Sequence, residues 1–351
     1  AVYVKKGNVT ISSSNFGSTK ADSNGNTAEK GGAIYTAEKE ADSVVGTVTV
    51  KSSKFALNNA QEGGAIYNTG NMVLNKNTFG ITDKAKNKYG NTAENGGVIY
   101  NKGDLKDTGS KYMYNQATQG GAIYNAGNLV VKNKKGTITG GLNNSNFTGN
   151  KASENGGAIY TESNLATSKA KFVSNSANRG GAVYNSENGI TTLISSTFTD
   201  NSAKEGGAVF NAGTLYLNKS TLGKKSTKKV NNANVAIYGA AIYNAGNLTS
   251  TGSKITYNEA YDILNETNGM GVIYNAENAV LSLVSTTVAN NKAYYGGGIY
   301  NLGSATTDNK TKFTANTATE GGAVYNNKSI SLLGSVFSKN IAETFGGALY
   351  N

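Results

Sequence analysis

The sequence contains no Cys, His, Pro or Trp. The absence of Cys and His excludes disulfides, the usual zinc sites, and the Ser-His-Asp and Cys-His catalytic arrangements. Arg179 is the only Arg, which disfavours bidentate recognition of phosphates or guanines. No apolar run approaches the about 18 residues that a membrane-spanning segment needs. We therefore expect no cofactor, no bound metal, no nucleic-acid partner and no membrane-spanning segment in this chain.

Glycine and asparagine dominate what is present. The 351 residues include 45 Gly and 50 Asn, and both residue types favour turns. Hydrophobic residues make up 37%, which is enough for a sizeable core. The net charge of +11 comes almost entirely from Lys. A chain of this length suggests two domains, unless the sequence is repetitive.

A hexapeptide close to Gly-Gly-Ala-Ile-Tyr-Asn recurs along the whole chain, first at residues 31–36 and last at 346–351. Its aromatic position is separated from the next one by 24–26 residues in the shortest units, and longer units carry insertions. The aromatic residues are Tyr3, Tyr35, Tyr67, Tyr100, Tyr124, Tyr160, Tyr184, Phe210, Tyr243, Tyr274, Tyr300, Tyr325 and Tyr350. A fixed period of this length is typical of a solenoid.

Two further motifs precede each Gly-Gly pair. One is Asn-x-Ala, as in Asn58-x-Ala60, and in one unit we place it at Asn231-x-Ala233. The other is a large apolar residue, usually Phe, which lies three positions before the Asn in nine units and is separated from it by an insertion in the other three. A third run of alternating apolar residues, such as Leu215 and Leu217, follows the hexapeptide. Alternation over a few residues between Gly, Asn and Ser predicts short strands rather than helices.

These patterns predict an all-β fold, a right-handed single-stranded parallel β-helix of about 12 coils with three short strands per coil. Equivalent residues of successive coils would then lie above one another, about 4.8 Å apart. We expect the Ile of the hexapeptide and the Asn after Tyr inside and the Tyr outside, and a bend at Gly-Gly that a Cβ would resist. The predicted aromatic ladder is Tyr35 to Tyr325. The Asn residues, expected to adopt left-handed backbone angles, form a second ladder of Asn58, Asn115, Asn150, Asn175, Asn201, Asn291 and Asn316.

The predicted domain is a single continuous β-helix over residues 1–351. The sequence opens within one hexapeptide and closes at the end of another, and neither terminus resembles a polar cap. We therefore expect an excerpt of a longer repeat protein, or alternatively end-to-end self-association.

The Gly-Gly-Ala-Ile and Phe-x-x-Asn motifs resemble the repeat of the chlamydial polymorphic outer-membrane proteins, which also occurs in adhesin-like surface proteins. The resemblance covers the whole chain. It implies a parallel β-helix exported to the cell surface and used in adhesion, in bacteria often as the passenger of an autotransporter. This chain shows no barrel segment and lacks the Cys of some chlamydial members.

Three features are candidates for ligand contact. The Tyr ladder could offer a stacking platform for sugars or for a partner strand. Lysines in the insertions could contact anionic polymers, although solubility and protection against aberrant edge pairing explain them better: Lys84, Lys86, Lys88, Lys132, Lys134, Lys135, Lys224, Lys225, Lys228 and Lys229. The insertions themselves are placed between Phe and Asn at 17–25, 80–90, 223–230 and 261–268, and after the hexapeptide at 37–46 and 126–145. Loops at fixed coil positions are typical sites of binding specificity.

The eight Asp residues do not occupy one position in neighbouring coils, as a polysaccharide-cleaving β-helix requires, and we interpret Asp104 and Asp107 as turn residues. The predicted function is therefore a non-catalytic cell-surface stalk that presents loops for attachment to glycans or proteins of a host or neighbouring cell. Two alternatives remain: a purely structural extracellular filament or surface-layer component, and a polysaccharide-active enzyme.

Overall fold

The computed structural model describes residues 2–18, 25–37, 46–83, 85–132, 138, 140–225, 232–262 and 267–351. The chain folds into two compact units, Ala1–Asn175 and Ser176–Asn351, called the first and second unit below. Within the described residues every regular element is a β-strand.

Each coil contributes one strand to each of three parallel sheets. The hexapeptide forms the tyrosine sheet, the alternating run after it forms the leucine sheet, and the segment around Phe forms the phenylalanine sheet. Strands are only two to five residues long, because Gly, Asn and Ser interrupt the apolar alternation at each corner.

The first unit contains six strands of each sheet. Its tyrosine-sheet strands are Val2–Val4, Ile34–Thr36, Ile66–Asn68, Ile99–Asn101, Ile123–Asn125 and Ile159–Thr161. Its leucine-sheet strands are Val9–Ser12, Thr47–Lys51, Asn71–Asn75, Asp104–Thr108, Leu142–Asn143 and Asn164–Ser168. Its phenylalanine-sheet strands are Asn15–Gly17, Lys54–Ala56, Thr78–Phe79, Lys111–Met113, Asn146–Thr148 and Lys171–Val173. Two short pairs join Gln116–Gln119 to Lys151–Asn155 and Ile81–Thr82 to Lys88–Tyr89.

The second unit repeats this arrangement. Its tyrosine-sheet strands are Val183–Asn185, Val209–Asn211, Ile242–Asn244, Ile273–Asn275, Ile299–Asn301, Val324–Asn326 and Leu349–Tyr350. Its leucine-sheet strands are Ile190–Ile194, Thr214–Asn218, Asn247–Thr251, Val280–Val284, Ser304–Thr307 and Ser329–Leu332. Its phenylalanine-sheet strands are Thr197–Thr199, Thr221–Leu222, Lys254–Thr256, Thr287–Ala289, Lys312–Thr314 and Val336–Ser338. Short extra strands are Val235–Ala236, Glu259–Asp262, Thr267–Asn268, Thr317–Glu320 and Ile341–Phe345.

Equivalent residues pair across neighbouring coils. Tyr67 is opposite Tyr100, and Tyr100 is opposite Tyr124. In the phenylalanine sheet Tyr112 is opposite Phe147. Three parallel sheets in repeat register, with one strand of each per coil, confirm the predicted parallel β-helix. That the whole chain is one continuous domain stays a prediction.

The interior is built by alternation along the short strands. In the tyrosine sheet Ile66 and Asn68 point inward and are fully buried, as predicted. The tyrosines lie on the other face, as predicted, but in part of the first unit their side chains are not exposed. Tyr67 is completely buried, and Tyr100 and Tyr124 are 8% and 9% exposed. Their rings pack against each other and against Tyr35 and Tyr160.

The corners of the coil depend on left-handed backbone angles. The first Gly of each complete hexapeptide has φ between 57° and 67°. A Cβ on Gly63 would lie 2.0 Å from the carbonyl oxygen of Ile66, so the predicted bend at Gly-Gly is confirmed.

The asparagine ladder does not itself adopt these angles, contrary to the prediction. In regular coils the residue immediately before the ladder Asn has positive φ, whatever its type: Leu57, Tyr114, Gly149, Ser174, Asp200, Tyr257, Asn290, Ala315 and Lys339. The corner is therefore imposed by the stacked coils rather than by local preference.

Ala315→Gly should stabilise the protein by about 1 kcal/mol, because it removes the Cβ that the left-handed conformation disfavours. Ala315 has φ of 53°, and Gly149 takes the equivalent position in another coil. The matched control is Ala289→Gly, inside the strand Thr287–Ala289, which should lose about as much stability. Denaturant unfolding of both variants checks the opposite signs, and a loss in both would contradict the strain argument.

One insertion lies at a different place from the one predicted. The sequence pattern predicts the insertion 261–268 between the apolar residue and Asn, but Asn258 follows the strand Lys254–Thr256 after one residue and belongs to the ladder. The insertion therefore comes after Ala260, where Tyr261 and Asn268 pair in an antiparallel hairpin.

Candidate functional site

The predicted aromatic residues form continuous stacks within each unit. In the first unit the ring centroids of Tyr3, Tyr35, Tyr67, Tyr100, Tyr124 and Tyr160 are 4.7–5.5 Å apart, with ring planes within 25° of parallel. In the second unit Tyr184, Phe210, Tyr243, Tyr274, Tyr300, Tyr325 and Tyr350 stack at 4.7–5.3 Å. Equal spacing follows from the strand separation, because each ring leaves the same position of its coil.

This stacking determines what the tyrosine column can bind. Each ring within a stack has its two faces covered by the rings of the coils on either side. A sugar that packs on an aromatic face therefore finds no free face along the column. The hypothesis of a stacking platform therefore does not hold for the rings inside each stack. Only the half-buried tyrosines leave ring edges and hydroxyl groups for contact, because Tyr67 is completely buried.

Charged side chains surround the column in the first unit. The Nζ atom of Lys30 lies 5.1 Å from the centroid of the Tyr67 ring, and that of Lys102 lies 5.7 Å from it. Lys30 also pairs with Glu62 at 3.3 Å. The neighbouring Tyr67 hydroxyl raises the pKa of Lys102, so this ammonium remains charged at neutral pH.

The predicted asparagines form a hydrogen-bonded ladder in each unit. In the first unit each Nδ2 donates to the next Oδ1 at 2.8–3.0 Å, in the order Asn26, Asn58, Asn91, Asn115, Asn150 and Asn175. In the second unit the distances are 2.8–3.1 Å, in the order Asn201, Asn234, Asn258, Asn291, Asn316 and Asn340. Each of these side-chain amides therefore links its coil to the next one by a hydrogen bond in the interior.

The position assigned to Asn231 is wrong, because the ladder uses Asn234. The segment 231–236 contains Asn-x-Ala twice, and Asn231 lies outside the described residues. Asn234 precedes Gly239 by five residues, the spacing that most units show between this Asn and Gly-Gly. That spacing was the signal that could have selected the right residue.

Two more polar ladders stabilise the corners. Asparagines after the hexapeptide Tyr link in the same way, for example Asn68 to Asn101 at 2.7 Å. A further ladder, which the sequence interpretation missed, lies two residues before the Phe position. There the backbone N–H of Ser196 donates to Ser220 Oγ at 3.0 Å, and that of Ser220 donates to Ser253 Oγ at 3.1 Å. The recurrent Ser-x-Phe spacing was its signal in the sequence.

Asp104 and Asp107 are not turn residues, contrary to the prediction, because both belong to the strand Asp104–Thr108. Asp107 lies opposite Leu74 and Leu142 and is completely buried. Ser110 and Ser145 donate hydrogen bonds to its two carboxylate oxygens at 2.5 and 2.6 Å. Burial raises its pKa to about 6.

The candidate lysines that the structure describes lie on the surface. Lys84, Lys134, Lys135, Lys228 and Lys229 lie outside the described residues. Lys86, Lys88, Lys132, Lys224 and Lys225 are exposed, and Lys88 Nζ is 4.7 Å from the centroid of the Tyr114 ring. Lys86 and Lys88 belong to the insertion 80–90, where Asp83 accepts hydrogen bonds from Asn87 and Tyr89. A role of the lysines in ligand contact stays a prediction.

The insertion after Leu129 interrupts a strand without disturbing its neighbours. Leu129 bridges to Leu165, and Leu142 pairs with Thr167. Twelve residues, 130–141, therefore separate Leu129 from Leu142 in the sequence, where the next coil has the single residue Ala166. The backbone of Ala166 hydrogen-bonds to Leu129 and to Gly141, so both ends of the insertion are held by the next coil.

A surface cleft opens beside this insertion. It consists of two adjoining hollows of about 270 and 250 Å³ that share Asn71, Asp104 and Asn128. One hollow extends towards Lys102, and the other towards Val130. Asn128 Nδ2 donates to Asp104 Oδ1 at 2.9 Å, which orients the carboxylate. The cleft thus offers an acceptor, two amides and an ammonium beside an apolar wall.

Stacked coils, interior amide ladders and loops inserted at the corners define this chain as a parallel β-helix repeat protein. The family model of the Chlamydia polymorphic membrane protein repeat matches it at residues 144–162, 195–212 and 334–351. Each match contains one Phe-x-x-Asn motif and the following Gly-Gly-Ala, so the resemblance inferred from these motifs is confirmed.

No curated protein and no solved structure matches the chain. Among the described residues, no helix has the length and apolar character to cross a membrane. Within the same residues, no three acidic side chains are grouped as a metal site would require.

Proposed function

We propose that this protein is a non-catalytic, cell-surface β-helix that presents inserted loops for attachment to a host or neighbouring cell. The match to a membrane-protein repeat supports a place at the cell surface. The main support for attachment is the insertion 130–141, which replaces a single strand residue while the flanking rungs keep their register. Such a coil can change its loop without losing its core.

The cleft beside the insertion gives the attachment site a chemical character. Asp104, Asn128 and Lys102 provide hydrogen-bond acceptors and donors for polar ligand groups, and Val130 and Val131 line the adjoining apolar part. Glycans and proteins of a cell surface both present such mixtures of polar and apolar groups. A purely structural filament has no need of an oriented carboxylate at the base of a loop.

Removing the insertion tests this function. The variant joins Leu129 to Leu142 through a single Ala, which copies the regular segment Leu165-Ala166-Thr167 and leaves the ladders intact. Beads coated with the full chain should attach to epithelial or microbial cells, and beads coated with this variant should lose most of that attachment.

The control removes residues 262–269, which leaves Tyr261 next to Met270 as in a regular coil of the second unit. Attachment should persist in this control. The proposed function is wrong if the full chain does not attach to any cell type, or if removal of residues 130–141 leaves attachment unchanged.

A further inference from the structure

The residue immediately before the first Gly of the hexapeptide, called here the pre-glycine position, forms its own column beside the tyrosines. Parallel bridges connect it from coil to coil, for example from Tyr238 to Met270 and from Met270 to Tyr295. In the first unit the position holds polar residues: Lys30, Glu62, Asn95, Gln119 and Asn155. In the second unit three consecutive coils hold Tyr238, Met270 and Tyr295, while the remaining coils hold Arg179, Glu205, Glu320 and Phe345.

The first unit is an internal control for what the fold requires. Its pre-glycine residues make the same parallel bridges, such as Glu62 to Asn95 and Asn95 to Gln119. Polar side chains therefore suffice to build this corner of the coil. The large apolar residues of the second unit have a cause other than coil formation, and clustered, partly exposed apolar side chains typically mark a contact surface.

Two of these side chains are turned out of the stack. The Tyr238 ring is inclined by 72° to the Tyr274 ring at 5.7 Å, and the Tyr295 ring by 52° to the Tyr325 ring at 5.1 Å. Within the described residues, neither Tyr238 nor Tyr295 takes part in a parallel stack. Both are half-buried. Their ring faces are thus not covered by parallel stacking, although the Tyr295 ring also makes an edge-to-face contact with Tyr294 at a centroid distance of 4.6 Å.

The adjacent column supplies hydroxyl groups. Tyr243, Tyr274 and Tyr300 are half-buried, and burial raises their pKa values, so their hydroxyls stay protonated at neutral pH. Each can donate and accept a hydrogen bond. On the far side of these tyrosines the equivalent residues are small or apolar, Ala245, Ala276 and Leu302.

Six side chains of these three coils form an uncharged patch, which Glu205 and Glu320 border within the pre-glycine column. We name the tyrosine face as Tyr238, Met270 and Tyr295 together with Tyr243, Tyr274 and Tyr300. Its six positions contain no acidic or basic residue, and the bordering carboxylates of Glu205 and Glu320 repel an anionic ligand. Its complement is a neutral ligand that combines hydroxyl groups with apolar C–H surfaces.

We propose that the tyrosine face binds a neutral oligosaccharide chain. The C–H groups of a sugar ring carry partial positive charge and pack on the negative face of a tyrosine ring. The sugar hydroxyls match the row of phenol hydroxyls. The stacked rings of Tyr243, Tyr274 and Tyr300 follow one another at 4.8 and 5.3 Å, close to the advance of one pyranose unit in an extended chain. This proposal rests on the proposed attachment function and names a ligand class for it.

The experiment gives the second unit the pre-glycine residues of the first. The triple variant Tyr238→Asn, Met270→Gln, Tyr295→Gln uses residue types that Asn95 and Gln119 already show to be compatible with the coil. Isothermal titration calorimetry measures binding of β-linked hexamers of glucose, mannose, xylose and N-acetylglucosamine to the full chain, with polygalacturonate as the anionic probe. At least one neutral hexamer should bind, with little effect of added salt, and the triple variant should lose about tenfold in affinity.

The control variant is Tyr216→Asn, which removes a 43% exposed tyrosine from the leucine sheet of the same unit and should not change binding. The proposal fails if no neutral hexamer binds, if polygalacturonate alone binds, or if the triple variant binds as well as the original chain. Self-association lost in the triple variant would assign the face to a second copy instead. A chain that attaches to cells but binds no hexamer would refute the glycan proposal and leave the attachment function standing.

Discussion

Replacing Asn115 by Ala should lower the free energy of unfolding by about 4 kcal/mol. Asn115 is completely buried, and its side chain makes four hydrogen bonds. Its Nδ2 donates to the Phe79 carbonyl and to Asn150 Oδ1 at 3.1 and 2.9 Å. Its Oδ1 accepts from the backbone and side-chain nitrogens of Asn91 at 2.9 and 3.0 Å. Truncation leaves buried donors and an acceptor without partners, which costs more than the net value of the bonds.

The matched control is Asn59→Ala. Asn59 is exposed, and its side chain donates one hydrogen bond, to Thr92 Oγ1 at 3.0 Å. Its loss should cost less than about 1 kcal/mol. Denaturant unfolding followed by circular dichroism measures the free energy of unfolding of the two variants. Hydrogen exchange shows which coils open in each variant. Equal and small losses of stability in the two variants would mean that water molecules replace the hydrogen bonds of the ladder. The buried amides would then contribute little to stability.

The β-helix architecture was predictable because the same motifs recur in every coil. Residues such as Tyr67 and Tyr100 recur at one position of each coil, and only stacking gives a fixed position physical meaning. The predicted positions of individual motifs were wrong where the local sequence pattern was ambiguous. Asn231 and Asn234 both begin Asn-x-Ala, and only the contact of Asn234 with Asn201 and Asn258 distinguishes them.

The surface features could not be predicted in the same way, because they depend on which neighbours cover a side chain. Tyr67 and Tyr3 occupy equivalent positions, yet the first is completely buried and the second is 64% exposed. The cleft at Asp104 arises from the place where residues 130–141 leave the strand, which the spacing of motifs does not define. The sequence shows a polar residue at Asn95 and an aromatic residue at Tyr295. Only the parallel bridges of the structure show that both occupy the pre-glycine position of their coils.

Asp107 is the residue for which sequence and structure disagree most. Its position holds Leu74 in the preceding coil and Leu142 in the following one, so a carboxyl group stands in an aliphatic column. Two serine hydroxyls compensate for part of its desolvation, and Tyr112, also completely buried, is the other titratable side chain close to it. Desolvation still dominates, and it raises the pKa of Asp107 from 3.8 to about 6.

The raised pKa makes the stability of the first unit depend on pH in a definite direction. The folded state binds the proton of Asp107 more tightly than the unfolded state does. The corresponding stability is fully present below pH about 4 and is lost as the pH rises through about 6. The shift from 3.8 to about 6 corresponds to about 3 kcal/mol of stability lost between these limits.

Asp107→Asn should remove this pH dependence, because the amide keeps the shape of the side chain and cannot ionise. At pH about 8 the variant should be more stable than the original chain by up to about 3 kcal/mol, and below pH about 4 the difference should vanish or reverse. Asp104→Asn, an exposed carboxyl in the same strand, is the control and should leave the slope unchanged. Urea unfolding across this pH range, with hydrogen exchange at Asp107 and Ser145, measures both variants. A slope that persists in Asp107→Asn would locate the pH dependence elsewhere, and it would mean that the serine hydroxyls hold the carboxylate charged at little cost.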